Sequence, residues 1–217
     1  MSRIGDIFLV WRKGPGARRI LVGKIKRNVS EGTRFEYIQE NIEKAKKEGF
    51  IAYTGFPDTA KKYTENVIEI FAQRLSKVER NDLSEFYEFW RVDTKKVNDL
   101  YYMLSQTQGF SPIDNFEFLT NFNPKKNLNF VSEIAGLTRS KIPSDKIKVG
   151  DKLSFELDEN NEYDNYSVRL FKDSLFIGYV KLVHSRIFHK SKNDIKVTVH
   201  HIEKNGILKR VFIEIKL

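Results

Sequence analysis

The chain has 217 residues, of which 40% are hydrophobic and 13% aromatic, including 17 Phe and 9 Tyr. That is enough apolar surface to offset the entropy of ordering a core, which excludes wholesale disorder and leaves room for one large domain or two small ones. Cysteine is absent, so disulfides, thiolate metal sites, iron–sulfur clusters and cysteine nucleophiles are excluded, while a net charge of +9 and a pI near 9.5 favour polyanionic partners.

In chain order, Arg3 and Asp6 break up the apolar residues at the start, so no signal-peptide core forms. No window approaches the ~18 apolar residues of a membrane span. A soluble cytoplasmic protein with no membrane partner is expected. Residues 6–12 (DIFLVWR) and 18–26 (RRILVGKIK) read as strands flanking a hairpin turn at Gly14-Pro15-Gly16. Residues 34–38 supply a third strand. Residues 39–48 are rich in helix formers, with Gly49 where a helix stop belongs. Beyond residues 50–58 the apolar spacing changes to three and four, at Val67, Ile70, Phe71 and Leu75 and again at Phe86, Phe89 and Trp90. Asp93 or Thr94 is placed to cap a further helix through Leu100, Met103 and Leu104.

Between residues 105 and 130 polar and turn-forming residues dominate, apart from a strand-like run at 116–119, and residues 121–127 form the expected boundary. The remainder reads as six short strands: 128–137, 151–158, 166–171, 174–180, 194–203 and 207–217. Turn signals separate them, which predicts a small barrel covered or plugged by one helix from Lys181 to about Lys190. The expected architecture is an α+β domain over residues 1–122 followed by an all-β small barrel over 127–217 with one or two short helices. Charge divides unevenly. Residues 1–122 hold 20 basic and 17 acidic side chains, and residues 123–217 hold 18 and 12, a balance of +6 against +3. A polyanion is therefore expected on the C-terminal unit.

Catalytic and metal motifs are missing. The glycines at 14 and 16 lie between strands and lack the Gly-Lys-Ser/Thr ending of a phosphate loop, so Arg18 and Arg19 read as solvated turn cations. His184 and His189 are five residues apart, more than one helical turn, and His200 and His201 point to opposite faces of a strand. No Gly-x-Ser-x-Gly elbow occurs, and the carboxylates Asp158, Glu159, Glu162 and Asp164 share one polar loop. Neither a cofactor nor a metal is expected.

The informative segment is that loop, residues 158–166, which places Asn160, Asn161, Tyr163, Asp164 and Tyr166 between two strands. Asn and Asp suit turn conformations, but Asn amides also donate and accept, and a Tyr ring offers a stacking face to an unpaired base. In 207–217 alternation buries Val211, Ile213 and Ile215 and leaves Arg210, Phe212 and Lys216 on the other face; Lys196, Thr198 and His200 share the polar side of 194–203. If these strands pair, cations lie beside an exposed Phe212, the composition of a single-strand groove. Phe212 packed under a loop is the alternative.

Asn160-Asn161-x-Tyr163-Asp164 followed by Ser167-Val168, then Ile177-Gly178-Tyr179-Val180, resembles the HIRAN domain. The likeness extends from Ile134-Ala135-Gly136-Leu137 through Val149-Gly150-Asp151 and covers about residues 127–217. The resemblance implies a small barrel similar to the oligonucleotide-binding fold, which grips single-stranded DNA or its 3′ end. It further implies that Asn160, Asn161, Tyr163 and Asp164 cradle a terminal nucleotide and that Asp164 accepts from a free 3′-hydroxyl. Tyr179 stands where helicase-type members have His, and Lys181 is near their phosphate-contacting Lys. Where they place an Arg and two aromatics, this chain has Thr138-Arg139-Ser140, so Arg139 alone supplies the cation.

Arg34-Phe35-x-Tyr37, Gly55-Phe56-Pro57-Asp58 and Val67-x-x-x-Phe71-x-x-Arg74-Leu75, with Leu104 and Gly109, resemble the N-terminal subdomain of HipA-type kinases. Bacterial proteins that join such a segment to a HIRAN domain are the nearest likeness. No Gly-rich loop or catalytic Asp motif accompanies it, so no kinase activity is implied. The expectation is a non-catalytic nucleic-acid-binding protein, with residues 1–122 open to a protein partner. The alternative is an antitoxin-like regulatory subunit acting on a HipA-type kinase.

Overall fold

The structure, a computed structural model, describes residues 4–14, 16–75, 82–109, 114–140, 142–191 and 195–217. Pro15 of the expected hairpin turn and the side chain of Arg139 lie outside the described residues. The chain divides into two units, Ile4–Asn121 and Phe122–Leu217.

In the first unit β1 (Ile4–Trp11), β2 (Ile20–Asn28), β3 (Gly32–Tyr37) and β4 (Phe116–Phe122) form a sheet in the order β3-β2-β1-β4. The helices are α1 (Gln39–Lys47), α2 (Val67–Ala72), α3 (Leu83–Phe89) and α4 (Leu100–Thr107). Phe35 centres the core, with the rings of Tyr37, Phe56 and Phe71 at 4.8, 4.9 and 5.1 Å. Burying rings of this size supplies most of the apolar area the small unit needs. The Tyr37 hydroxyl donates to the Phe56 carbonyl at 2.7 Å and accepts from the Tyr53 amide at 2.9 Å, so the 50–58 segment is tied to the sheet. Arg19 is drawn into an ion pair with the buried Glu117 instead of standing in solvent. The expected cap at Asp93 serves a separate 3-10 turn, Thr94–Lys96, through the Lys95 amide. The true N-cap of α4 is Asp99, whose carboxylate accepts from the Tyr102 amide at 3.1 Å.

The second unit is a closed antiparallel barrel of six strands in the order β10-β5-β8-β7-β6-β9. The strands are β5 (Asn129–Ala135), β6 (Lys152–Asp158), β7 (Ser167–Lys172), β8 (Leu175–Val180), β9 (Lys196–Asn205) and β10 (Ile207–Lys216). Each corresponds to one strand-like run of the sequence. Val211, Ile213 and Ile215 are buried and aligned with Val197, Val199, Ser132 and Phe130 on the neighbouring strands, forming the interior. The helix expected over 181–190 is reduced to α6 (Arg186–Lys190), seated by Phe188, whose ring meets Phe155 edge-on at 4.8 Å.

Closure is thin at two seams. β6 and β9 share only the pairs Lys152↔Thr198 and Leu153↔Val197. β5 and β8 share only the pairs Ile134↔Val180 and Ala135↔Tyr179. Gly178 makes this approach possible: its φ is +144°, and a Cβ there would stand 2.6 Å from the Ala135 carbonyl oxygen. A short helix, α5 (Leu137–Ser140), leaves β5 directly, and Ser140 Oγ lies 3.1 Å from the Ile177 carbonyl oxygen of β8.

Candidate functional site

The loop between β6 and β7 is built by two of its own side chains. Asn161 Oδ1 accepts from the amides of Tyr163 and Asp164 at 3.0 and 3.2 Å, and its amide group donates to Asp158 Oδ2 at 2.9 Å. Asp164 Oδ1 accepts from the Tyr166 amide at 2.9 Å, while its carbonyl takes the Ser167 amide. These are local turn bonds, available to Asn and Asp because their short polar side chains reach the backbone two or three residues on. Asn161 and Asp164 are accordingly half-buried, and Asn160 stays exposed. The result is a fixed loop that presents Tyr163 at 67% and Tyr166 at 47% exposure.

Arg186 flanks one of the two rings, and Arg169 lies on the adjoining strand. Arg169, on β7, reaches back to Asp158 Oδ1 at 3.2 Å and stands opposite Tyr179 of β8 in the register. Tyr179 is half-buried, edge-on to Phe176 at 5.2 Å. Gly136 lies beside that ring, and its φ of +80° suits glycine. On the other side of the loop, the Arg186 guanidinium lies 5.3 Å from the Tyr166 ring centroid, and the His189 ring meets Tyr166 edge-on at 5.4 Å.

Two expected site residues are placed differently. Phe212 is 2% exposed, which corrects the expectation of an exposed ring. The Arg210 guanidinium covers it at 4.4 Å, and the His201 ring lies 6.0 Å away. Alternation had assigned the right face, but what covers a face depends on residues distant in sequence. Lys181 is also 2% exposed. Its ammonium sits 3.1 Å from Glu133 Oε2, and the other carboxylate oxygen accepts from Arg210 Nε at 2.8 Å. One buried carboxylate thus holds two cations from β10 and the end of β8.

One histidine serves packing. His184 is 1% exposed, with Nδ1 2.8 Å from Ser132 Oγ and its ring against Phe122 and Phe130 at 5.8 and 5.1 Å. Among the described residues no group of three or more His, Asp or Glu side chains is arranged to hold a metal ion. Nor is any helix among them long and apolar enough to cross a membrane.

Sequence reasoning passed over Arg186 and Glu133, and it read His189 and Arg210 without the partners the structure gives them. The Tyr166–Arg186 and Glu133–Arg210 contacts bridge 20 and 77 positions and leave no local pattern. Only the acidic residue in the otherwise apolar-rich β5 run hinted that Glu133 had a partner.

The class defined by this geometry is a small closed β-barrel with an aromatic loop, joined to an α+β unit. No protein-family model matches the chain, and no curated protein matches it. Two solved structures are similar to parts of it. The HIRAN domain of human HLTF is 15% identical, with a TM-score of 0.33 over 41% of this chain and 74% of that one. A protein from Lactobacillus plantarum is 11% identical, with a TM-score of 0.34 over 42% of this chain and 96% of that one.

Proposed function

We propose that this chain binds nucleic acid without catalysing a reaction on it, and that single-stranded DNA or a DNA 3′ end docks on the loop between β6 and β7. One observation carries the reading: Tyr163 and Tyr166 are held out to solvent by a loop whose polar side chains are used to fix it. Exposed, pre-ordered aromatic rings beside guanidinium groups are what unpaired bases and their phosphates need. The +6 balance of residues 123–217 and the resemblance of 160–168 and 177–180 to HIRAN motifs point the same way. In this reading Tyr163 stacks on a base, Asn160 and Asp164 border the terminal sugar, Tyr179 extends the contact along the barrel, and Arg139 supplies a cation. Lys181, paired with Glu133, supports the barrel wall instead of touching phosphate.

A labelled oligonucleotide titrated at rising salt tests this. Binding weakens with a log–log slope near −0.7 per neutralised phosphate for a single strand. Tyr163→Ala costs roughly 1–3 kcal/mol if a base stacks there. Absence of binding to any DNA at low salt overturns the proposal. Matched strands with free and blocked 3′-hydroxyls decide end recognition, equal affinities confining the function to strand binding.

A further inference from the structure

We infer that the barrel has a second stacking position, at Tyr166, where another base of the same single strand lies on the ring and its phosphate meets Arg186. The inference rests on the nucleic-acid reading above but assigns residues that the HIRAN motif does not include. Three constraints converge on this one side chain. The Asp164 carboxylate fixes the Tyr166 amide at 2.9 Å. The Arg186 guanidinium lies over the ring at 5.3 Å, and His189 abuts it at 87° between planes. The side chain is thus held in one orientation while 47% of the residue faces water. Such pre-ordering lowers the entropy lost when a partner arrives, and a ring still half open has a surface left for one.

Arg186 identifies the partner's chemistry. A guanidinium is a planar, permanently charged fork that matches a phosphate better than any neutral ligand. Arg186 is itself half-buried, and it sits at the start of α6, whose Ile187 and Phe188 are buried. The cation is therefore mounted on a fixed element while Tyr166 sits on the same loop as Tyr163, three residues on. Two rings on one loop, with a cation over the second, suit successive nucleotides of a strand.

The test compares the full chain with Tyr166→Leu, Tyr166→Phe, Arg186→Gln and Tyr163→Ala, using fluorescently labelled single-stranded oligonucleotides at several salt concentrations. Tyr166→Leu lowers affinity about 5- to 150-fold, whereas Tyr166→Phe, which keeps the stacking face, stays near the parent. Arg186→Gln flattens the salt slope by about 0.7, a change that a purely structural role does not produce. Thermal melts of each variant keep loss of fold separate from loss of binding. If Tyr163→Ala weakens binding while Tyr166→Leu and the Arg186→Gln slope match the parent, the second position is wrong and the proposed function stands. If the parent binds no oligonucleotide at low salt, both fall.

Discussion

Removing Glu133 should damage the barrel far more than removing a surface acid. Its carboxylate, 11% exposed, holds Lys181 at 3.1 Å and Arg210 at 2.8 Å, and so ties the end of β8 and the start of β10 to β5. In Glu133→Ala the Lys181 ammonium, 2% exposed, loses that counter-charge while still out of reach of bulk water. Breaking a buried pair this way costs about 3–5 kcal/mol. The Arg210 contact adds little, on the order of 1 kcal/mol or less, because its side chain is 23% exposed and Glu203 lies 3.6 Å away. Against a typical total of about 5–15 kcal/mol, the loss is large. Lys181→Met should cost much less, since Glu133 keeps Arg210, and Lys181→Met on top of Glu133→Ala should recover much of the loss. Trp11 and Trp90, the chain's only tryptophans, both lie in Ile4–Asn121, so their fluorescence does not report the barrel. Urea titration followed by hydrogen exchange at the amides of β5, β8 and β10 does. A Glu133→Ala barrel less than about 1 kcal/mol weaker than the parent would refute the reasoning, as would a Lys181→Met change of equal cost.

Two further perturbations test the fold. Gly178→Ala forces a side chain into a φ of +144° and a Cβ to 2.6 Å from the Ala135 carbonyl; the backbone term alone is about 1–3 kcal/mol, so the melting temperature by circular dichroism should drop, and an unchanged melt contradicts the close β5–β8 approach. Burial of Asp99 opposes its ionisation, but hydrogen bonds from Arg27 and the Tyr102 amide outweigh it and hold the carboxyl below the usual Asp range. A lowered folded-state value gives stability that is complete above the unfolded Asp range and is lost as pH falls through the lowered value. Acid unfolding followed by tryptophan fluorescence should therefore be less steep in Asp99→Asn.

The barrel strands were legible because they are short and alternate, and all but β8 and β10 end at a turn of Gly, Asn or Asp, so local chemistry and final structure agree strand by strand. The loop at 158–166 was legible for the same reason: the bonds of Asn161 and Asp164 span two or three residues. What escaped were contacts that exist only after closure. Nothing around Lys181 marks it as the partner of Glu133, 48 positions earlier. Phe212 stood on the predicted face, yet Arg210 and His201 close over it. At the start of α4, three candidate acids and hydroxyls lie within seven residues, and packing of Tyr101 and Leu104 selects Asp99 as the cap.

Ion pairs within the barrel unit bear on how the +6 charge balance should act on a polyanion. Arg169, Lys172, Lys181, Arg210 and Lys216 each have a carboxylate within 4 Å in the same unit. A cation already sharing a carboxylate releases little counterion on meeting a phosphate, so the 18 basic side chains of residues 123–217 are a poor guide to the salt slope. Five of the 18 are discounted in this way, and two cations lie near the loop. Arg186 lies over a ring, and Arg169, although paired with Asp158, keeps 46% of its side chain exposed. Affinity should therefore rest on the two pre-ordered rings more than on charge. On that reasoning, moderate salt should weaken binding only modestly, while losing either ring should weaken it at every salt concentration.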